Sequence, residues 1–253
     1  VQYVSEGSTF LVVILIASIF VYQAVRRQFK LQKQQENFMM AITHELKTPI
    51  AVAKLNLETL QKHHLDEARK QKLLQATLQE TNRLNTLASN ILVSSQLEGG
   101  RYRMSKEELD LSALVQTSVN DFRNRYHDRH WRIDIEPELD ITGDALLLQI
   151  MVNNLVENAV KYSPKEAAIE CSLHKRNKTI LLQVIDEGPG IPDNEKKKVF
   201  EKFYRIGNET TRTTKGTGLG LYLVKKIVQD HHGNIKVTNN LTRGCNFMVS
   251  FTV

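Results

Sequence analysis

His44-Glu45-Leu46-Lys47-Thr48-Pro49 sets an imidazole, a carboxylate and a hydroxyl within two helical turns of one another. Further on, Asn154, Asn158 and Lys161 follow at i, i+4 and i+7 in Asn154-Leu155-Val156-Glu157-Asn158-Ala159-Val160-Lys161-Tyr162-Ser163. Asp186-Glu187-Gly188-Pro189-Gly190 and Gly216-Thr217-Gly218-Leu219-Gly220-Leu221 come next. Each group has its own chemistry. An imidazole is a nucleophile. Amide oxygens ligate a hard cation and an ammonium meets phosphate. Asp186 can accept a hydrogen bond from an exocyclic amine such as that of adenine. The amides of a glycine-rich turn before a helix can cradle phosphate. Taken singly, each signal is weak: a lone helical histidine is usually a surface residue, and an Asp-Gly turn is usually only a turn. Four in this order point to a nucleotide site in the second half that serves a nucleophile in the first.

The elements that must hold these groups can be read from periodicity. Residues 26–63 read as one long helix, with Phe38, Ile42, Leu46, Pro49, Ala53, Leu57 and Leu60 on an apolar stripe about 100° wide. His44 lies roughly 190° from its centre and so faces solvent, with Thr48 on its own face. Pro49 removes a backbone donor and is expected to kink the helix there. Asp66 is the expected N-cap of a second helix reaching about Leu97 and ended by Gly99-Gly100. Two antiparallel helices cannot bury both apolar stripes alone, so a homodimeric four-helix bundle is expected.

After Gly100 the composition changes. A helix over Leu111–Tyr126 alternates with strands expected at Trp131–Ile135, Ile169–His174, Thr179–Ile185, Asn234–Thr238 and Asn246–Phe251. Asp144 should open a helix to Tyr162, with Leu148, Val152, Leu155 and Ala159 as core and Asn154, Asn158 and Lys161 on a face about 120° round. A helix from Tyr222 to His231 follows the second glycine motif. Pro192–Lys215, polar and rich in Lys, Thr and Asn, reads as a mobile lid anchored by Phe200 and Phe203, with Arg205 in reach of phosphate. This is an α+β sandwich with helices on one face of the sheet.

At 253 residues and a formal charge of +6, the chain can hold one or two domains with real cores. The basic residues sit in local runs without base-reading or stacking neighbours, so no nucleic-acid partner is expected. Cys171 and Cys245 lack metal spacing, which fits a reducing compartment. Ser8–Val25 is a stretch of about 18 residues without formal charge, long enough to cross a lipid bilayer. Arg26, Arg27, Lys30 and Lys33 follow it and place that end in the cytoplasm. The chain opens on Val rather than Met, so a fragment is expected, with a sensor portion upstream.

These residues together resemble the sensor histidine kinases of two-component signalling. His44 to Pro49 matches the H box, Asn154 to Ser163 the N box, Asp186 to Gly190 the G1 box, Phe200 to Arg205 the F box and Gly216 to Leu221 the G2 box. The resemblance implies a multidomain α and α+β chain. A transmembrane helix (about 8–25, within 1–25) leads to a juxtamembrane helix and phosphotransfer hairpin (26–100). A Bergerat-type ATP-binding α/β sandwich, as in gyrase and Hsp90, then occupies 101–253. It implies His44 as phosphoacceptor, Glu45 as the base orienting its ring, and Thr48 as positioning water for dephosphorylation of the partner. Asn154 and Asn158 would bind Mg²⁺, Lys161 and Arg205 would contact phosphates, and Tyr162 would pack by the adenine that Asp186 reads. Gly188, Gly190, Gly216, Gly218, Leu219 and Gly220 would line the ATP.

The implied partner is a response regulator receiver domain acting in trans, and the implied location is a bacterial inner membrane with the catalytic region in the cytoplasm. The rival readings are an ATPase of the same superfamily and a phosphatase-dominant scaffold. The ATPases of this fold carry a glutamate where Asn154 stands, and an amide cannot take a proton from water. One departure is plain: fewer than twenty residues separate Val25 from His44, too few for a HAMP relay, so a signal is expected to pass directly down the helix.

Overall fold

The computed structural model describes residues 2–207, 216–240 and 243–252, with side chains from residue 10 onward. The first element, α1 (Gln2–Lys62), is a single unbroken helix from the apolar segment through the histidine motif. It is the one described helix long and apolar enough to cross a membrane. Pro49 deprives the Glu45 carbonyl of its helical donor, yet the helix does not end there. The expected cap at the hairpin tip, Asp66, accepts through Oδ1 from the Arg69 amide at 2.7 Å and starts α2 (Glu67–Glu98). At its far end the Gly99 amide bonds back to the Ser95 carbonyl, and Gly100 turns the chain away at φ 61°.

The hairpin buries little by itself. Ile42 and Val93 are buried, while Ile50, Val52, Leu55, Leu57, Leu74, Leu78 and Leu92 stay exposed. Leu57, on the stripe expected to be core, is 52% exposed.

The rest of the chain is a two-layer sandwich. Strands β2 (Trp131–Ile135), β4 (Ile169–Arg176), β5 (Thr179–Ile185), β7 (Cys245–Thr252) and β6 (Asn234–Asn239) form one sheet in the order β2-β4-β5-β7-β6. Among the described strand pairs only β2–β4 is parallel. Alternation decides the layers: Ile169, Cys171 and Leu173, Ile180, Leu182 and Val184, and Phe247, Val249 and Phe251 turn one way and are buried. They meet α3 (Leu111–Arg125), α4 (Ala145–Tyr162) and α5 (Gly220–Asp230).

The core of α4 is wider than the narrow stripe expected. Leu147, Leu148, Met151, Val152, Leu155 and Val156 are all fully buried, because α4 packs on β5 below and lies between α3 and α5. A two-stranded ribbon, β1 (Glu107–Asp110) with β3 (Asp140–Gly143), carries no apolar alternation and was not anticipated. Burial pushes the thiols of the free cysteines Cys171 and Cys245 up to about 12, which leaves both unreactive.

Candidate nucleotide and phosphoacceptor site

His44 stands exposed on α1. Thr48, one turn on, donates from Oγ1 to the His44 carbonyl at 3.2 Å, which ties the two residues to one face. Glu45 goes elsewhere. One residue along a helix is about 100° round, and that rotation carries Glu45 into the seam between the helices, where it is only 8% exposed. There its Oε2 accepts from Arg83 Nη2 of α2 at 2.8 Å. No hydrogen bond joins Glu45 to the His44 ring among the described residues, so the contact implied for a ring-orienting base is not made in this conformation.

The helix α4 begins where Asp144 caps the Leu147 amide at 3.1 Å. Its polar face holds Asn154, Asn158 and Lys161. Asn154 is nearly buried, and its Nδ2 donates to the Ile150 carbonyl at 2.8 Å. That bond fixes the amide so that Oδ1 points away, toward Gly220: a Cβ at Gly220 would lie 2.7 Å from it. Oδ1 is the donor type a hard cation takes, and Asn158 stands half-buried one turn along. Lys161 reaches back over the Tyr162 ring, with Nζ 5.0 Å from its centroid, and lies against Gly216, where a Cβ would come within 2.5 Å of Nζ. The second glycine motif therefore folds directly over the polar face of α4. Gly216 (φ 153°) and Gly218 (φ 73°) hold left-handed backbone. Leu219 is buried, and Gly220 already begins α5, two residues earlier than the sequence suggested. The first amides of α5 thus face the same cleft.

Asp186 follows the last residue of β5. Its Oδ1 accepts from the Gly188 amide at 2.8 Å and the Cys245 amide at 3.3 Å. Burial pushes its pKa up, against the pull of those two amides. Its own carbonyl accepts from Asn240 Nδ2 at 2.9 Å. Gly190 turns at φ 79°, and the following Ile191 is clamped by the Asn239 amide, which accepts from its N–H at 3.0 Å and donates to its carbonyl at 2.9 Å. Tyr162, 40% exposed, lies beside Gly188 at the mouth.

Residues 208–215 of the expected lid lie outside the described residues. At its base, Phe200 is buried in the core. Phe203 is not: it takes φ 64° and stacks on Phe38 of α1, ring centroids 3.8 Å apart. The Phe203 amide also donates to the Gly218 carbonyl at 3.0 Å, which couples the lid base to the glycine motif. Glu98, the last residue of α2, accepts from Lys202 Nζ at 2.6 Å and from the Tyr222 hydroxyl at 2.7 Å. Arg205 lines a cleft of about 150 Å³ with Gln34, Asn37, Phe38 and Ala41 of α1. The sandwich is thus docked on the hairpin, and Phe38 lies six residues, about 9 Å of helix rise, before His44.

Sequence reasoning did not single out Arg83, Phe38 as a docking residue, Glu98 or Tyr222. Their partners are 38 to 165 residues distant in the chain, and no local pattern marks such pairs. The one available hint was Phe38, an aromatic at the edge of the hairpin stripe.

Comparison with known proteins agrees with this geometry. Residues 34–100 match the His Kinase A (phospho-acceptor) domain family. Residues 143–253 match the family described as histidine kinase-, DNA gyrase B-, and HSP90-like ATPase. The sensor protein RprX of Bacteroides fragilis is 30% identical over 99% of this chain and 50% of its own length. The signal transduction histidine-protein kinase BaeS of Escherichia coli is 31% identical over 81% of this chain and 44% of its own. The solved structure of the mycobacterial sensor histidine kinase MprB, 28% identical, covers 58% of this chain and 97% of that one with a TM-score of 0.52. The chain spans about half the length of RprX. With a phosphoacceptor-type hairpin and an ATPase-type sandwich in one polypeptide, the chain belongs to the sensor histidine kinases of two-component signalling.

Proposed function

We propose that this chain transfers the γ-phosphoryl group of ATP to His44 and then passes it to an aspartate on the receiver domain of a separate response regulator. The observation that carries the reading is the pairing of a solvent-facing His44 with a sandwich docked on the same helix, its glycine motif folded over Asn154, Asn158 and Lys161. In the reaction an imidazole nitrogen of His44 bonds to the γ-phosphorus, the bond to the β–γ bridging oxygen breaks, and ADP leaves. Most of the acceleration comes from positioning and charge neutralisation. Asp186 reads the adenine amine, Tyr162 flanks the ring, and Lys161 and Arg205 meet the phosphates. Gly188, Gly190, Gly216, Gly218, Leu219 and Gly220 let the backbone approach the nucleotide. Asn154 and Asn158 would hold the Mg²⁺ that accompanies ATP, whose charge offsets that of the phosphoryl oxygens. Glu45 takes the ring proton once it faces His44, and Thr48 positions water when the partner is dephosphorylated.

The exposed apolar residues of the hairpin support a homodimeric bundle. The continuous α1 supports a bacterial inner-membrane anchor that delivers its signal to His44 without a relay module. Hydrolysis without a protein acceptor is disfavoured by Asn154, an amide bonded to the Ile150 carbonyl where a general base would be needed. The test is phosphate incorporation from γ-labelled ATP. Wild-type protein should acquire acid-labile, base-stable phosphate, and His44→Gln should abolish it while ATP binding persists. Phosphate that remains on His44→Gln would remove the assignment.

A further inference from the structure

We propose that Arg83 is a positioning residue that decides whether the Glu45 carboxylate is delivered to the His44 ring, by exchanging its partner between Glu45 and Glu80. The inference rests on the function proposed above. Arg83 is half exposed on α2 and holds Glu45 Oε2 at 2.8 Å through Nη2. Its other terminal nitrogen, Nη1, lies 4.0 Å from Glu80 Oε2, beyond hydrogen-bond distance. That oxygen of Glu80 is buried and makes no hydrogen bond. One guanidinium thus stands between two carboxylates, hydrogen-bonded to Glu45 and at ion-pair distance from Glu80, whose side chain is 26% exposed. A buried carboxylate oxygen without a hydrogen bond is costly, so Glu80 competes with Glu45 for the arginine. When Arg83 turns to Glu80, Glu45 loses its counter-ion in a seam where it is only 8% exposed. It then swings outward to solvent, and solvent is where the neighbouring residue His44 stands.

In that position Glu45 removes the ring proton as the other imidazole nitrogen bonds to the γ-phosphorus of ATP, and ADP departs with the electrons of the broken P–O bond. The conformation described here, with Arg83 on Glu45, is the one that withholds the base. Arg83 itself touches neither His44 nor the nucleotide.

The test is the initial rate of phosphate incorporation into the full chain, reconstituted in lipid nanodiscs, over a range of ATP concentrations. The variants are Arg83→Ala, Arg83→Lys and Glu80→Gln, each also combined with Glu45→Gln. Arg83→Ala should raise kcat on the order of tenfold, part of the hundredfold or more that a placed base contributes, with KM for ATP unchanged. Arg83→Lys, which keeps a cation for Glu45, should return the rate toward wild type. Glu80→Gln removes the competitor and should slow the reaction. None of these substitutions should matter once Glu45 is Gln. A rate unchanged or lowered in Arg83→Ala of wild-type thermal stability overturns the proposal, as does a gain that survives Glu45→Gln. Glu80→Gln leaves the observed ion pair intact, so an unchanged rate there overturns it even if Arg83→Ala fails to fold. A wild-type chain that carries no phosphate on His44 overturns the function proposed above and this inference together; phosphate on His44 with an indifferent Arg83 overturns the inference alone.

Discussion

The hairpin and the sandwich are built to opposite specifications. In the sandwich, α4 is buried on nearly every side and its core residues Leu147, Leu148, Met151, Val152, Leu155 and Val156 have no exposed surface. In the hairpin, large apolar side chains such as Ile50, Leu55, Leu78 and Leu92 stay in solvent, and the stripe residue Leu57 is half exposed. The sandwich closes its own core, whereas the hairpin presents an unfinished one. A unit that binds nucleotide has to keep its loops in register on its own. A unit that dimerises leaves apolar surface for its partner to cover.

The largest effects should follow that division. Leu155→Ala removes a fully buried side chain of α4 and should destabilise the sandwich by about 2–5 kcal/mol, read as a fall in its urea midpoint. Leu57→Ala should leave that transition in place and instead weaken self-association, seen by sedimentation at falling concentration. An equal loss of folding stability from the two would erase the contrast. Next in size, Asn158→Ala should weaken Mg·ATP binding by about tenfold, roughly 1.4 kcal/mol, in a titration calorimeter without lowering the melting temperature. Magnesium-free ATP should show a smaller difference.

A smaller effect is expected where the two units touch. Phe38→Ala deletes the ring stacked on Phe203 and should cost about 0.5–1.5 kcal/mol of docking. Amide exchange near residues 202–204 and 217–219 should quicken, with α4 unchanged.

The smallest concerns pH. His231 is buried, its Nδ1 bonds to the Ile227 carbonyl at 2.8 Å and its Nε2 accepts from the Asp144 amide at 2.9 Å. The partners assign a neutral ring with the proton on Nδ1. Burial lowers its pKa below the usual 6.5, more than the Ile227 carbonyl raises it. The unfolded chain therefore takes up the proton first. The stabilisation is fully present above the unfolded value and declines as pH falls through the lowered folded value. Urea midpoints of the sandwich should drop on acidification below about pH 6.5, and less so for His231→Gln. The hairpin has no counterpart to this group, so its helicity should not follow the same curve.

The sequence by itself determined a good deal. A 3.6-residue period placed the first hairpin helix and α4, a cap and two glycines placed α2, and apolar strand-like runs placed five of the seven described strands, because each of those patterns is written along the chain. Asp66 and Asp144 announced helix starts because a side-chain cap is a local contact. The motifs stand out in the sequence for a similar reason: the proposed nucleotide chemistry needs particular groups at fixed short spacings. The ribbon β1–β3 was not legible, since Glu107, Glu108 and Asp140 are polar and no alternation marks them.

Only the tertiary structure decided where Glu45 and Phe203 point. Both looked local, one beside its histidine and the other anchoring a lid. Yet Glu45 is claimed by an arginine 38 residues away, and Phe203 by an aromatic ring 165 positions earlier in the chain. Contacts of that span are set by which surfaces the packed helices bring together, and the energy that selects them resides in the assembled seam rather than in any stretch of the chain.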